Sequence, residues 1–152
     1  MVDPRTTPYA ALLLRLALGT MFVAHALLKV FVFTLPGTVQ FFELLGLPAA
    51  LAYATVAAEL AGGVLLILGI GTRWVAVALI PFLLGATWVH LGNGWLFSAP
   101  KGGWEYPVFL TIAAAAQALL GDGAFALGNR FASRPVMRLR PPEPTQRQRK
   151  VQ

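Results

Sequence analysis

Residues Ala49–Ile70 read AALAYATVAAELAGGVLLILGI, with Glu59 the single charge among them. At about 1.5 Å of rise per residue, a helix of roughly twenty apolar residues crosses a hydrocarbon core of about 30 Å. The stretch reads as a membrane span that carries a carboxyl group near the midplane. A charge at that depth costs several kcal/mol unless it is paired or neutralised, so Glu59 needs a partner or a purpose.

Three further stretches have the same character: Tyr9–Leu35, Trp74–Leu91 and Glu105–Gly121. Together they predict an all-α fold, a four-transmembrane-helix bundle running up-down-up-down with both termini cytoplasmic. The start of the first span, Leu12–Val23 followed by Ala24-His25-Ala26, has the outline of a secretory leader and its cleavage site. Arg15 within its apolar core and the continuing run Leu27–Leu35 favour a retained span instead.

Composition supports the lipid reading. Of 152 residues, 57% are hydrophobic and 12% are charged, about half the charged share of a soluble domain. The spans occupy most of residues 1–128, which leaves one bundle and no separate soluble catalytic domain. The chain has no cysteine, which excludes disulfides, thiolate nucleophiles, cysteine-ligated iron–sulfur clusters and covalent haem attachment. Two histidines and a few carboxylates predict no metal site.

The net charge of +6 is concentrated at one end: seven of the twelve basic residues follow Asn129, at Arg130, Arg134, Arg138, Arg140, Arg147, Arg149 and Lys150. Segment 129–152, broken by four prolines, reads as a disordered cytoplasmic tail. By the positive-inside rule Arg5, Arg73 and this tail share the cytoplasmic side, and the loops Thr34–Pro48 and Gly92–Glu105 face outward. Anionic lipid headgroups or an acidic partner are the further use of such charge. Nucleic-acid binding is not expected, because no folded basic surface presents it.

Polar residues within the spans mark a candidate site. Arg15, Leu18, Phe22, His25 and Lys29 follow steps of three and four, a seam that turns all three basic groups to one face, read as the bundle interior. In the second span Ala54, Ala58 and Gly62 form a ridge of small residues beside Glu59. Pro81 is expected to bend the third span. Counting depth, Arg15 and Glu59 differ by only about 6 Å, so the guanidinium is expected to reach the carboxylate. His25, Lys29, His90, Glu105 and Tyr106 collect in the outer half, read as a polar pocket for a ligand headgroup with His25 or His90 as proton carrier. The bland alternative is that these groups sit at the interface and touch water. The two histidines also raise a bis-histidine haem, a weaker reading because their spans are expected to lie across a diagonal.

With those residues laid out, the chain resembles the DoxX family of small four-helix membrane proteins from about Leu14 to about Asp122. The resemblance rests on Arg15-Leu16-Ala17-Leu18-Gly19 with His25 and Lys29 downstream, Phe41-Phe42-Glu43-Leu44-Leu45-Gly46-Leu47-Pro48, and Ala58-Glu59-Leu60-Ala61-Gly62-Gly63. Leu68-Gly69-Ile70-Gly71-Thr72-Arg73, His90 and Gly103-Trp104-Glu105-Tyr106-Pro107 complete it. Ala26 departs from the pattern, which commonly has glycine after the first-span histidine. The resemblance implies a multi-pass plasma-membrane protein of a family loosely labelled oxidoreductase, with relatives that serve quinone-linked or oxidative-stress enzymes. The leading expectation is therefore a redox-linked membrane subunit that binds a quinone or similar lipid-soluble carrier beside a partner oxidoreductase. A non-catalytic anchor for soluble enzymes and a transporter of small solutes or protons are the alternatives. Four short helices enclose little volume, so a homo-oligomer is also expected.

Overall fold

The computed structural model describes residues 3–128, so the basic segment 129–152 and the tail predicted for it lie outside the described residues. Within them the chain is helical: α1 Thr7–Leu27, α2 Leu35–Leu44, α3 Ala49–Leu68, α4 Thr72–His90 and α5 Glu105–Leu120. A π-helical turn, Leu28–Val32, extends α1, and a 3₁₀ turn, Leu91–Asn93, extends α4. The segments Thr7–Val32, Ala49–Leu68 and Thr72–Asn93 are long and apolar enough to cross a membrane, while α5 is apolar but shorter, at 16 residues.

Packing sets the four long helices in a ring. α1 lies against α3, α3 against α4, α4 against α5, and α5 closes back on α1, which puts α1 and α4 on the diagonal. The α1–α3 contact is a crossing of two glycines. A Cβ on Gly19 would stand 2.7 Å from the Gly63 carbonyl oxygen, and one on Gly63 would stand 2.8 Å from that of Gly19. Absence of side chains lets the two backbones meet there, the usual device where lipid supplies no hydrophobic drive. The predicted ridge is corrected accordingly. Ala54 is exposed and Ala58 half-buried, and the close approaches are made by Gly63 toward α1 and by Gly62 toward Leu79 of α4.

The core is apolar and central: Leu18, Phe22, Leu66, Leu79 and Leu83 are buried with Ala76, Ala113 and Ala114. The buried stripe of α1 runs Ala11, Arg15, Leu18, Gly19, Phe22 and Ala26. The predicted seam therefore holds from Arg15 to Phe22. It then drifts, because 3.6 residues per turn do not divide the three-and-four spacing evenly. His25 and Lys29 consequently sit at the edge of the interface, half-buried. Large apolar side chains such as Leu13, Phe31, Trp74, Phe109 and Leu119 point outward.

One local expectation is revised. The stretch Thr34–Pro48 is not a plain loop, since it contains α2. Thr34 caps that helix, its hydroxyl accepting from the Gly37 N–H at 3.2 Å, and Pro36 occupies the first turn, where its missing N–H is harmless. Thr34 itself takes a left-handed φ of 64°, a conformation rarely adopted by a β-branched residue. α4 runs as one helix from Thr72 to His90 with Pro81 inside it.

Candidate functional site

Glu59 does have a partner, and it is Lys29. The Lys29 ammonium donates to both carboxylate oxygens, at 2.8 Å to Oε1 and 2.7 Å to Oε2. The two side chains retain only 19% and 11% of their exposure, and this is the ion pair among the described residues. Helix geometry explains why two groups at different levels meet. With Gly19 against Gly63, Lys29 lies opposite a level some six residues short of Glu59, roughly 9 Å along the axis. Side chains lean toward the N-terminus of their own helix. In antiparallel neighbours Lys29 and Glu59 therefore lean toward each other, and the lysine stem covers the remainder. Lys29 is also part of the π turn, whose wider winding releases its carbonyl to the Thr38 hydroxyl of α2 at 3.1 Å.

The expected Arg15–Glu59 pairing is not formed. Arg15 is 1% exposed and faces the opposite end of the bundle, where Nη1 donates to the carbonyls of Leu66 (3.0 Å) and Ile67, and Nη2 donates to that of Ala124 (2.9 Å). The last carbonyls of a helix have no partner within it and carry partial negative charge. α3 ends at Leu68, so its open carbonyls stand level with Arg15 while Glu59 is two turns farther away. Gly69 makes room for the head group: a Cβ there would lie 2.9 Å from Arg15 Cζ. Asp122 adds charge to this end, its Oδ1 accepting from the Thr72 N–H at 3.0 Å at the start of α4. Gln117 of α5 is fully buried at this end and donates to the Gly121 carbonyl.

The remaining residues of the predicted outer pocket share the far end of the bundle but divide into separate groups. His25 stacks on Tyr106 of α5, with ring centroids 6.1 Å apart and planes 24° from parallel. Its Nδ1 lies 2.8 Å from the Met21 carbonyl oxygen. A carbonyl only accepts, so Nδ1 carries the hydrogen and, in the neutral ring, Nε2 is left as an acceptor. His25 is one turn from Lys29, so the stack and the ion pair are neighbours on α1. His90 is engaged elsewhere, holding the loop before α5 through Nδ1 and the Gly102 carbonyl at 3.1 Å. Asn93 joins that clamp by donating to the carbonyls of Lys101 and Gly102. Glu105 accepts from the Phe97 N–H at 2.9 Å and so ties the same loop to the first turn of α5.

Lys29, Glu59, His25 and Tyr106 thus form the chemically interesting set, and His90 and Glu105 are loop fasteners. The sequence reading missed Thr38 and Asn93. Thr34-Leu35-Pro36 was a readable helix start that would have drawn attention to Thr38, and the three-residue step from His90 to Asn93 was a readable turn contact. Among the described residues, no group of three or more histidines and carboxylates is arranged to hold a metal ion.

Comparison with known proteins places these residues in context. The DoxX family profile matches residues 10–92, more than half of the chain and including Arg15, His25, Lys29, Glu59 and His90. A curated relative, named "Putative oxidoreductase CatD" in Bacillus subtilis (strain 168), is 45% identical over 75 residues, which cover 49% of this chain and 54% of that protein. The chain therefore aligns with about half the length of that relative. No solved structure matches the chain.

Proposed function

The chain belongs to the DoxX family, and on that premise we propose that it is a four-span, redox-linked subunit of the plasma membrane that serves a partner oxidoreductase and binds a quinone or similar lipid-soluble carrier. The observation that carries the reading is the Lys29–Glu59 ion pair, held between two apolar helices one turn from the His25–Tyr106 stack. Charge placed among apolar spans is costly and is kept mainly where it serves binding or proton movement. A carboxylate paired with an ammonium, itself one helical turn from an imidazole, supplies acceptor and donor for a carrier that takes up protons with electrons. The relative named an oxidoreductase supports the redox class.

α5 is the fourth span in this reading. It follows α4 from Arg73 beside Leu119 at one end to His90 beside Gly102 at the other. The packing of α5 and the loop before it along a span-length helix supports a fourth crossing despite its 16 residues. Arg5 and Arg73 mark the cytoplasmic side and the loop 94–104 the outer side. Because the natural chain has no cysteine, single cysteines report orientation cleanly. An impermeant maleimide applied to intact cells should label Ser98→Cys and spare Arg5→Cys; the reverse pattern would overturn the orientation.

The function is tested by measuring quinone-dependent oxidoreductase activity in membranes that carry Glu59→Gln or His25→Ala. Each is expected to lower the activity at least about tenfold, the lower range for loss of a proton-transferring group. Unchanged activity in both variants removes the reading. The basic segment after Asn129 favours recruitment of a partner as well. Removing residues 134–152 should then reduce recovery of that partner from solubilised membranes.

A further inference from the structure

Beside the His25–Tyr106 stack, the surface of α5 opens into a groove of about 400 Å³ lined by Trp95, Phe97, Glu105, Tyr106, Phe109 and Ile112. We infer that this groove is the seat of a flat, neutral ring of the quinone class, its ring between Trp95 and Tyr106 and its apolar tail along Phe109 and Ile112. The inference rests on the carrier reading above and adds the place.

Three observations select that occupant. First, the walls are aromatic at the mouth and aliphatic below. Ile112 lies two turns beyond Glu105, about 10 Å deeper along α5, and Phe109 and Ile112 are exposed on the outside of the bundle. A molecule with a ring at the headgroup level and a tail in the hydrocarbon matches that gradient. Second, the mouth is braced by its own contacts. Trp95 stands edge-on to Trp104 at 4.4 Å, and the Phe97 N–H is held by Glu105, so the aromatic wall is formed without a ligand. Third, the charge is wrong for a phospholipid. The one carboxylate among the lining residues is Glu105, and no lysine or arginine among the described residues lines the groove, so a phosphate would find repulsion where it needs a cation. A neutral ring meets no such penalty. Tyr106 joins the two regions, since it lines the groove and also stacks on His25. That contact links a ring in the groove to the imidazole and, one turn on, to the Lys29–Glu59 pair. The cavity at the other end, bounded by Arg73, Trp74 and Asp122, has no comparable aromatic wall.

The test uses the full chain in phospholipid nanodiscs with a photoreactive benzoquinone carrying a short alkyl tail. Saturable labelling should map to peptides containing Trp95 or Tyr106. Phe109→Ala combined with Trp95→Ala should weaken binding about tenfold, the loss of two aromatic contacts. Val108→Phe with Ile112→Phe, at two lining positions outside the buried core, fills the groove and should weaken binding comparably. Saturable binding that both groove pairs leave intact overturns the groove and spares the carrier reading. Absence of saturable binding to the natural chain overturns both. A photoreactive phospholipid that labels the same peptides and is not displaced by the benzoquinone identifies an ordinary lipid contact and overturns the groove.

Discussion

Replacing Lys29 by methionine keeps the length and apolar stem of the side chain and leaves the Glu59 carboxylate among helices without its cation. Two contacts near 2.75 Å, the mean of the 2.8 and 2.7 Å bonds, correspond to about 6 kcal/mol of attraction at an effective dielectric of about 20. Desolvation offsets part of this, and deletion of one partner of a buried pair costs about 3–5 kcal/mol. Glu59→Gln should cost less, because an amide carries no charge to strand. The double variant Lys29→Met/Glu59→Gln should recover most of the loss, giving a coupling of about 2–3 kcal/mol, within the range for contacting residues. Unfolding of the purified protein in mixed micelles of increasing SDS fraction, followed by circular dichroism, measures all four members of the cycle. If the Lys29→Met and Glu59→Gln losses simply add, to within about 0.5 kcal/mol, the pair is not an energetic unit and the argument for its special placement fails.

Other expectations concern the ends and the crossing. Gly63→Val should destabilise by at least about 1–3 kcal/mol through forced separation of α1 and α3, whereas Gly85→Ala, with open space around it, should be neutral or gain up to about 1 kcal/mol from helix propensity; the same SDS titration compares them. Arg15→Lys replaces a planar fork by a point donor that cannot hold both the α3 carbonyls and Ala124. Hydrogen exchange at the Leu127 and Gly128 amides, which bond to Leu68 and Gly69, should speed up about tenfold or more, equivalent to at least about 1.5 kcal/mol for a lost charged hydrogen bond. Glu105→Ala frees the Phe97 N–H and should make the 94–104 loop easier to cleave by protease, at a cost near 1 kcal/mol, while Glu105→Gln keeps an acceptor and should not.

Sequence alone was sufficient for whatever depends on composition and period. Apolar runs of about twenty residues specify helices and a lipid setting whatever their neighbours are, so α1, α3 and α4 were legible to within a few residues. The interior face of α1 from Arg15 to Phe22 was legible for the same reason, since helical spacing is a local property. The need of Glu59 for a partner followed from electrostatics. Its identity did not. Depth counted separately along each helix made Arg15 the nearer cation, but depth depends on how helices slide past one another. The Gly19–Gly63 crossing sets that register, aligning Arg15 with the open carbonyls at the end of α3 and leaving Lys29 to lean toward Glu59. Likewise, His90 and Tyr106 fall at one level in any four-helix arrangement, yet only the ring order of the helices put Tyr106 against His25 and gave His90 to the Gly102 carbonyl. Which charges exist is written along the chain, and which of them meet is decided by how closely two backbones can approach.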